Sequence, residues 1–307
     1  MPILTVQLNH PNPEKPFIVG NGYTLINNQI IREWNKDILK NNKKPHYRKF
    51  ICNNGEFISN LETQPQKGNL LFWGEWEGNS IFNPINNGKG VPNGIHEPFH
   101  SKSILGFQNT DPYVFGDFFK YAICSQNGVM CNLDNGSLIL FGTTTNSGFL
   151  LDTVFVIKTH ETANSVCNNN AANYTQIYRE ETLEPLSSFY LIPNPLSKNK
   201  LYHSQTWWEN NEYFSFVPCK EALTNSYNKV ILNLNWLTKQ KIGHPYKHFA
   251  NLNPKNIWEK IVDSVLKQGF LLGVKFDEPN LRTIAVNNQS QIKTGNCGQK
   301  KLPKSNC

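Results

Sequence analysis

At 307 residues, with a net charge of +7 and a sequence pI of about 8.9, the chain is long enough for one large domain or two modest ones, each with its own core. No stretch approaches the roughly 18 apolar residues of a membrane-spanning helix, and the opening MPILTVQLNHPNPEKP lacks the basic-then-apolar pattern of a secretory leader. The charge implies less than its total suggests. From Pro279 onward the chain carries Arg282, Lys293, Lys300, Lys301 and Lys304 and no acid, so the rest holds only +2, and net charge alone makes no case for nucleic acid.

Taken in order, the first half reads as strands. Ile3–Leu8 opens the fold, and Phe17–Val19 and Tyr23–Ile26 flank a Gly20-Asn21-Gly22 turn. Tyr47–Cys52 and Glu56–Ile58 flank Asn53-Asn54-Gly55, which reads as a hairpin. Asn69–Trp76 is a further strand. Residues 78–112, rich in Gly, Asn and Pro, read as one long loop, and long loops in compact domains tend to be functional. Ser137–Gly142 is nearly all apolar, which predicts a strand buried on both faces, and Phe149–Ile157 follows it after a turn.

The second half mixes helix and strand. Residues 161–184 have helical composition, and short strands are expected at Tyr213–Val217 and Val230–Leu234. The clearest helix begins at Asn253, a good N-cap, with Pro254 at its first position. Ile257, Ile261 and Val265 form one apolar row, and Trp258, Val262 and Leu266 the next. Gly269 ends it and Phe270–Phe276 returns as a strand. Many short strands and one strong amphipathic helix predict an α+β fold, mainly an antiparallel curved sheet or β-barrel with peripheral helices. The expected layout is a single domain over 1–278 and a basic, flexible tail over 279–307. Seven cysteines (52, 124, 131, 167, 219, 297 and 307), with no C-x-x-C, read as reduced thiols of a cytoplasmic protein.

Several stretches offer chemistry. His96-Glu97-Pro98-Phe99-His100 matches the H-E-x-x-H pattern by which a helix holds zinc. The proline disfavours helix at the residue before it, and no third ligand follows, so no metal and no cofactor are expected and the histidines read as polar loop residues. For an enzyme, Asp111, Asp117 and Glu75, with His96 and His100, are the candidates to supply acid–base or metal-assisted chemistry. In LFWGEWE, a strand would put Trp73 and Glu75 on one face and Trp76 on the other. Indole beside carboxylate can hold a flat polar ring by stacking and by accepting its N–H groups, and the same chemistry suits a cation. Residues 40–49 interleave aromatics with cations, making Lys43, Lys44, Arg48 and Lys49 candidate phosphate contacts. No phosphate-cradling loop or nucleophile elbow is present.

LLFWGEWE, NTDPYVFGD, GSLILFG and LDTVFVI together resemble a group of uncharacterised bacterial proteins, and Cys124–Phe155 resembles the PUA-like domains, which include EVE and nucleotide-modification-associated domains. Gly136–Gly142 matches their barrel strand, with Ser137 in place of the usual acid. The resemblance implies a β-barrel with an aromatic-walled pocket for a flipped or modified base. The expectation is a protein that binds nucleic acid or a nucleotide, with Trp73, Glu75 and Trp76 on the base, in DNA modification or anti-phage defence. The alternatives are a hydrolase- or nuclease-like enzyme acting on a nucleotide or nucleic acid, and a structural or interaction protein using Gln205–Glu209, which contains Trp207 and Trp208.

Overall fold

The computed structural model describes residues 2–9, 23–32, 48–85, 92–101, 110–122, 126–162, 173–184, 199–224, 227–234 and 246–282. Its strands, in chain order, are β1 (Thr5–Asn9), β2 (Tyr23–Ile26), β3 (Gln29–Arg32), β4 (Lys49–Ile58), β5 (Gln66–Gly74), β6 (Ser80–Pro84), β7 (Gly94–His100), β8 (Lys120–Tyr121), β9 (Leu138–Thr145), β10 (Gly148–Thr162), β11 (Lys200–Ser204), β12 (Val217–Glu221), β13 (Val230–Leu232), β14 (Tyr246–Phe249), β15 (Leu271–Phe276) and β16 (Asn280–Leu281). Helix α1 (Gln176–Tyr178) runs directly into a π turn over Arg179–Leu183, and α2 spans Pro254–Lys267.

The strands form two sheets. One has the order β14-β1-β9-β10-β11-β8, with β13 paired to the start of β10. The other runs β15-β12-β5-β4-β7-β6-β3-β2. Within it β15 also pairs with β4, so β15, β12, β5 and β4 close into a four-stranded antiparallel barrel. The α+β, barrel-containing architecture expected from the sequence is therefore present. The GSLILFG strand is β9, which lies in the first sheet and not in the closed barrel.

Burial explains the sequence of β9. One face packs Ile139 and Phe141 into a core shared with Ile51, Phe72 and Trp76 of the barrel region. The other packs Leu138 and Leu140 against Trp258, Ile261 and Val265 of α2. Covered on both sides, the strand carries the continuous apolar run that such strands require. The Asn253 side chain accepts from Asn256 N and Pro254 sits in the first turn, as expected from their sequence positions.

Four expectations need correction. Asn53-Asn54-Gly55 is no hairpin turn, because β4 continues through it and the chain reverses between Ile58 and Gln66. Gly55 is needed there for close approach: a Cβ would stand 2.4 Å from the Lys275 carbonyl oxygen on the neighbouring strand. Residues 78–112 are not one loop, since β6 and β7 form an antiparallel pair inside them. H-E-x-x-H is therefore on a strand, neither helix nor loop. The tail does not begin at 279: β16 pairs with β7, and Arg282 N donates to the His100 carbonyl at 2.8 Å. The expected strand at Phe17–Val19 and the tail beyond 282 lie outside the described residues, as do 163–172 of the expected helical segment.

Candidate ligand-binding site

Three residues singled out in the sequence converge. Arg48, just before β4, and Glu75, just after β5, sit side by side because their strands are paired, with Arg48 Nη1 3.5 Å from Glu75 Oε2. Trp73, at the end of β5, packs on Phe50 with ring centroids 5.2 Å apart. The sequence did not point to the other two members, Asp152 and Lys229. Asp152 lies where β10 shifts register between Leu151 and Thr153. A bulge of this kind re-aims a side chain, here toward Arg48, whose Nε is 3.1 Å from Asp152 Oδ2. Lys229, just before β13, places its ammonium 3.7 Å from Asp152 Oδ1 and 3.9 Å from the Trp73 ring centre.

The cluster has two cations, two carboxylates and one aromatic face, almost entirely out of water. Arg48 is 1% exposed, Glu75 4%, Asp152 1% and Trp73 9%. Burying charges is costly unless each is well hydrogen-bonded. Here several atoms are not: Arg48 Nε and Nη2, Trp73 Nε1, both Asp152 carboxylate oxygens and Lys229 Nζ make no hydrogen bond. Burial pulls the Lys229 ammonium below the ordinary lysine range, and the Asp152 charge partly offsets this. The cluster is thus a group of buried, under-satisfied polar atoms around one indole, whose other neighbours are Phe50 and Leu71 of a small apolar cluster.

A second polar cluster lies around the end of β7. His100, 2% exposed, has Nδ1 2.6 Å from Glu181 Oε1 and Nε2 2.6 Å from Glu180 Oε2. The two glutamates are consecutive in the π turn after α1, a geometry often found at functional sites. Gly78 allows the close approach of Glu181, whose Oε2 would stand 2.8 Å from a Cβ there. Burial alone would lower the His100 pKa, but hydrogen bonds and charge from Glu181 and then Glu180 outweigh it and raise the value. Burial also raises the Glu181 carboxyl, opposed by His100 and Lys49. The glutamate side chains are 2% exposed for Glu181 and 20% for Glu180, so the cluster reaches water through Glu180.

The remaining candidates do not join either constellation. Trp76 is not a base-binding residue: it is fully buried in the core, and its Nε1 donates to the Asn79 carbonyl at 2.8 Å. Lys49 is not a phosphate contact, because its buried ammonium donates to the Trp76 carbonyl. His96 Nδ1 faces Ser80 Oγ at 2.9 Å, and the ring lies on Phe82. His96 and His100 are four residues apart on a strand, about 13 Å, which is too far to share a metal. Asp111 is buried and accepts from Ala122 N at 2.7 Å, whereas Asp117 is exposed and paired with Lys275 at 2.9 Å, so the two do not act together. Lys43 and Lys44 lie outside the described residues. Trp207 is a buried core residue, while its neighbour Trp208 is 47% exposed.

Among the described residues no three His, Cys, Asp or Glu side chains converge on a possible metal position, and no helix is long and apolar enough to cross a membrane. In comparison with known proteins, the chain matches no protein family, no curated protein and no solved structure.

Proposed function

We propose that this protein binds nucleic acid or a nucleotide, receiving the base at the Arg48–Trp73–Glu75–Asp152–Lys229 cluster. One observation carries this reading: a single aromatic face is ringed by buried donors and acceptors that make no hydrogen bond within the protein. A base stacked on Trp73 would gain the ring contact that Lys229 now makes. Glu75 and Asp152 would accept from exocyclic N–H groups, and Arg48 would donate to an acceptor edge or phosphate. Trp76 and Lys49 have no place in this reading. A preference for a modified base would fit a role in DNA modification or anti-phage defence.

The test is anisotropy of labelled single- and double-stranded DNA and RNA, unmodified and base-modified, at two salt concentrations. Binding should weaken about tenfold or more in Trp73→Ala, by analogy with base–aromatic stacking, and stay unchanged in Trp208→Ala. Equal binding by wild type and Trp73→Ala would overturn the assigned site.

A second reading, an enzyme with an acid–base centre, is favoured by His100 held between Glu180 and Glu181 at 2.6 Å on each nitrogen. Such an imidazole can pass a proton between a solvent-reaching and a buried carboxyl. Turnover of nucleotides or oligonucleotides that disappears in Glu180→Gln and His100→Gln, with binding retained, would establish it.

A further inference from the structure

The proposed binding site is closed, and what closes it indicates what it binds. Arg48, Glu75 and Asp152 are sealed to 4% exposure or less, while Trp73 is 9% exposed and the Lys229 side chain over it 8%. The Lys229 ammonium stands where a stacked ligand ring would lie, 3.9 Å from the ring centre. Its polar partner there is Asp152 Oδ1, an ion pair at 3.7 Å, longer than an ordinary hydrogen bond. Two attractions therefore hold it, a cation–π contact and a long ion pair, and neither gives its N–H groups an acceptor at ordinary hydrogen-bond length.

The unused atoms are unequal in kind. On the donor side are Arg48 Nε and Nη2, Lys229 Nζ and Trp73 Nε1; on the acceptor side are only the two oxygens of Asp152. Arg48 Nε stands 3.1 Å from Asp152 Oδ2, but off the geometry of a hydrogen bond. A ligand that completes this cluster must bring more acceptors than donors. A neutral base brings both in similar number, whereas a phosphate brings acceptor oxygens alone, matched to guanidinium and ammonium donors.

We propose that Lys229 is a displaceable plug on Trp73, and that the group displacing it is a nucleoside monophosphate, either free or as an extruded nucleotide of a strand. The base takes the indole face, and the released ammonium turns with Arg48 to the phosphate. This rests on the base-binding reading above and assigns to it a ligand charge and a gating residue.

The test is calorimetric titration of the intact chain with the four common nucleosides, their 5′-monophosphates and a short single-stranded oligonucleotide. Wild type, Lys229→Met, Lys229→Gln and Trp73→Ala are compared. Wild type should prefer a monophosphate over its nucleoside by about tenfold or more, the size of one charge-assisted contact. Lys229→Met, with the ring uncovered and the phosphate partner lost, should bind the nucleoside more tightly than wild type and lose most of that preference. Lys229→Gln should do the same and stands in if the Met variant does not fold. Tighter binding of the oligonucleotide than of any mononucleotide would identify a strand as the source; the reverse would identify the free nucleotide. If wild type binds, Trp73→Ala does not, and both Lys229 variants match wild type for nucleoside and nucleotide alike, the plug is wrong and the base-binding reading stands. If no probe binds wild type or either Lys229 variant, both are wrong.

Discussion

His100 is the residue whose surroundings are best read through pH. Its pKa is raised above 6.5 because Glu181 and Glu180 outweigh the effect of burial. The folded state therefore holds the proton more tightly than the unfolded chain does, and the resulting stability is fully present below about pH 6.5. It is lost as pH rises through the raised value. Urea unfolding of wild type should thus show stability falling above pH 6.5 more steeply than in His100→Gln; parallel curves would mean that the imidazole is neutral between its carboxylates. Lys120 gives the opposite slope. Buried against the rings of Tyr113, Phe118 and Tyr178, its pKa is lowered to about 8 from 10.5, mainly by burial. Keeping it charged costs about 3 kcal/mol below pH 8, less whatever the cation–π contacts return. Lys120→Met should gain stability at pH 7, by at most that amount, and the gain should shrink between pH 8 and 10.5. A variant less stable than wild type at pH 7 would show that the contacts of the charged form, the rings together with the 3.1 Å hydrogen bond to the Phe118 carbonyl, outweigh the cost of burial. Arg48, Trp73 and Glu75 stood out in the sequence and come together in the fold, while Trp76, just past the end of β5, packs into a different core from Trp73. The sequence could not disclose Lys229 or Asp152, which meet the others only through long-range packing, and it drew Lys49 into a surface role because a cation in a basic run ordinarily stays in water.

At the level of elements, what was legible is what is local. The Asn253 cap, the Pro254 start and the apolar rows of α2 depend on neighbours in sequence, and all appear in the fold. Asn253→Ala should cost about 1 kcal/mol, the usual value of a lost N-cap, measurable as a shift in urea midpoint; no shift would mean that the cap bond to Asn256 N adds nothing beyond the packing of Trp258. The register shift in β10 was not legible, because it exists only against β9. Gly142 marks it from the other side: a Cβ there would stand 2.2 Å from the Leu150 carbonyl oxygen, one residue before the pair Leu151↔Gly142 and next to the shift that presents Asp152. Gly142→Ala should push the strands apart. It should therefore weaken ligand binding as well as stability, although residue 142 belongs to neither polar cluster. Lost stability with unchanged affinity in the fraction that remains folded would separate the bulge from the site. The turn misassigned to Asn53-Asn54-Gly55 has a related cause. Asn-Gly signals a hairpin when read alone, but here the glycine serves the approach of β15.

For the whole molecule, the two sheets share one core, and the charged cluster is assembled where the barrel strands β4 and β5 meet β10 and the segment before β13. No single stretch of sequence contains that junction, which is why the fold class could be read from strand patterning and the charged cluster only in part. Binding at Trp73 can be followed directly by titrating nucleoside monophosphates while watching the indole N–H resonances of the seven tryptophans, with Trp73 identified by its loss in Trp73→Phe. The Trp73 signal should shift as its Nε1–H gains an acceptor or its ring gains a base, while the exposed Trp208 stays in place. A saturable shift confined to Trp208, or no shift at any indole with ligand in large excess, would contradict binding at Trp73.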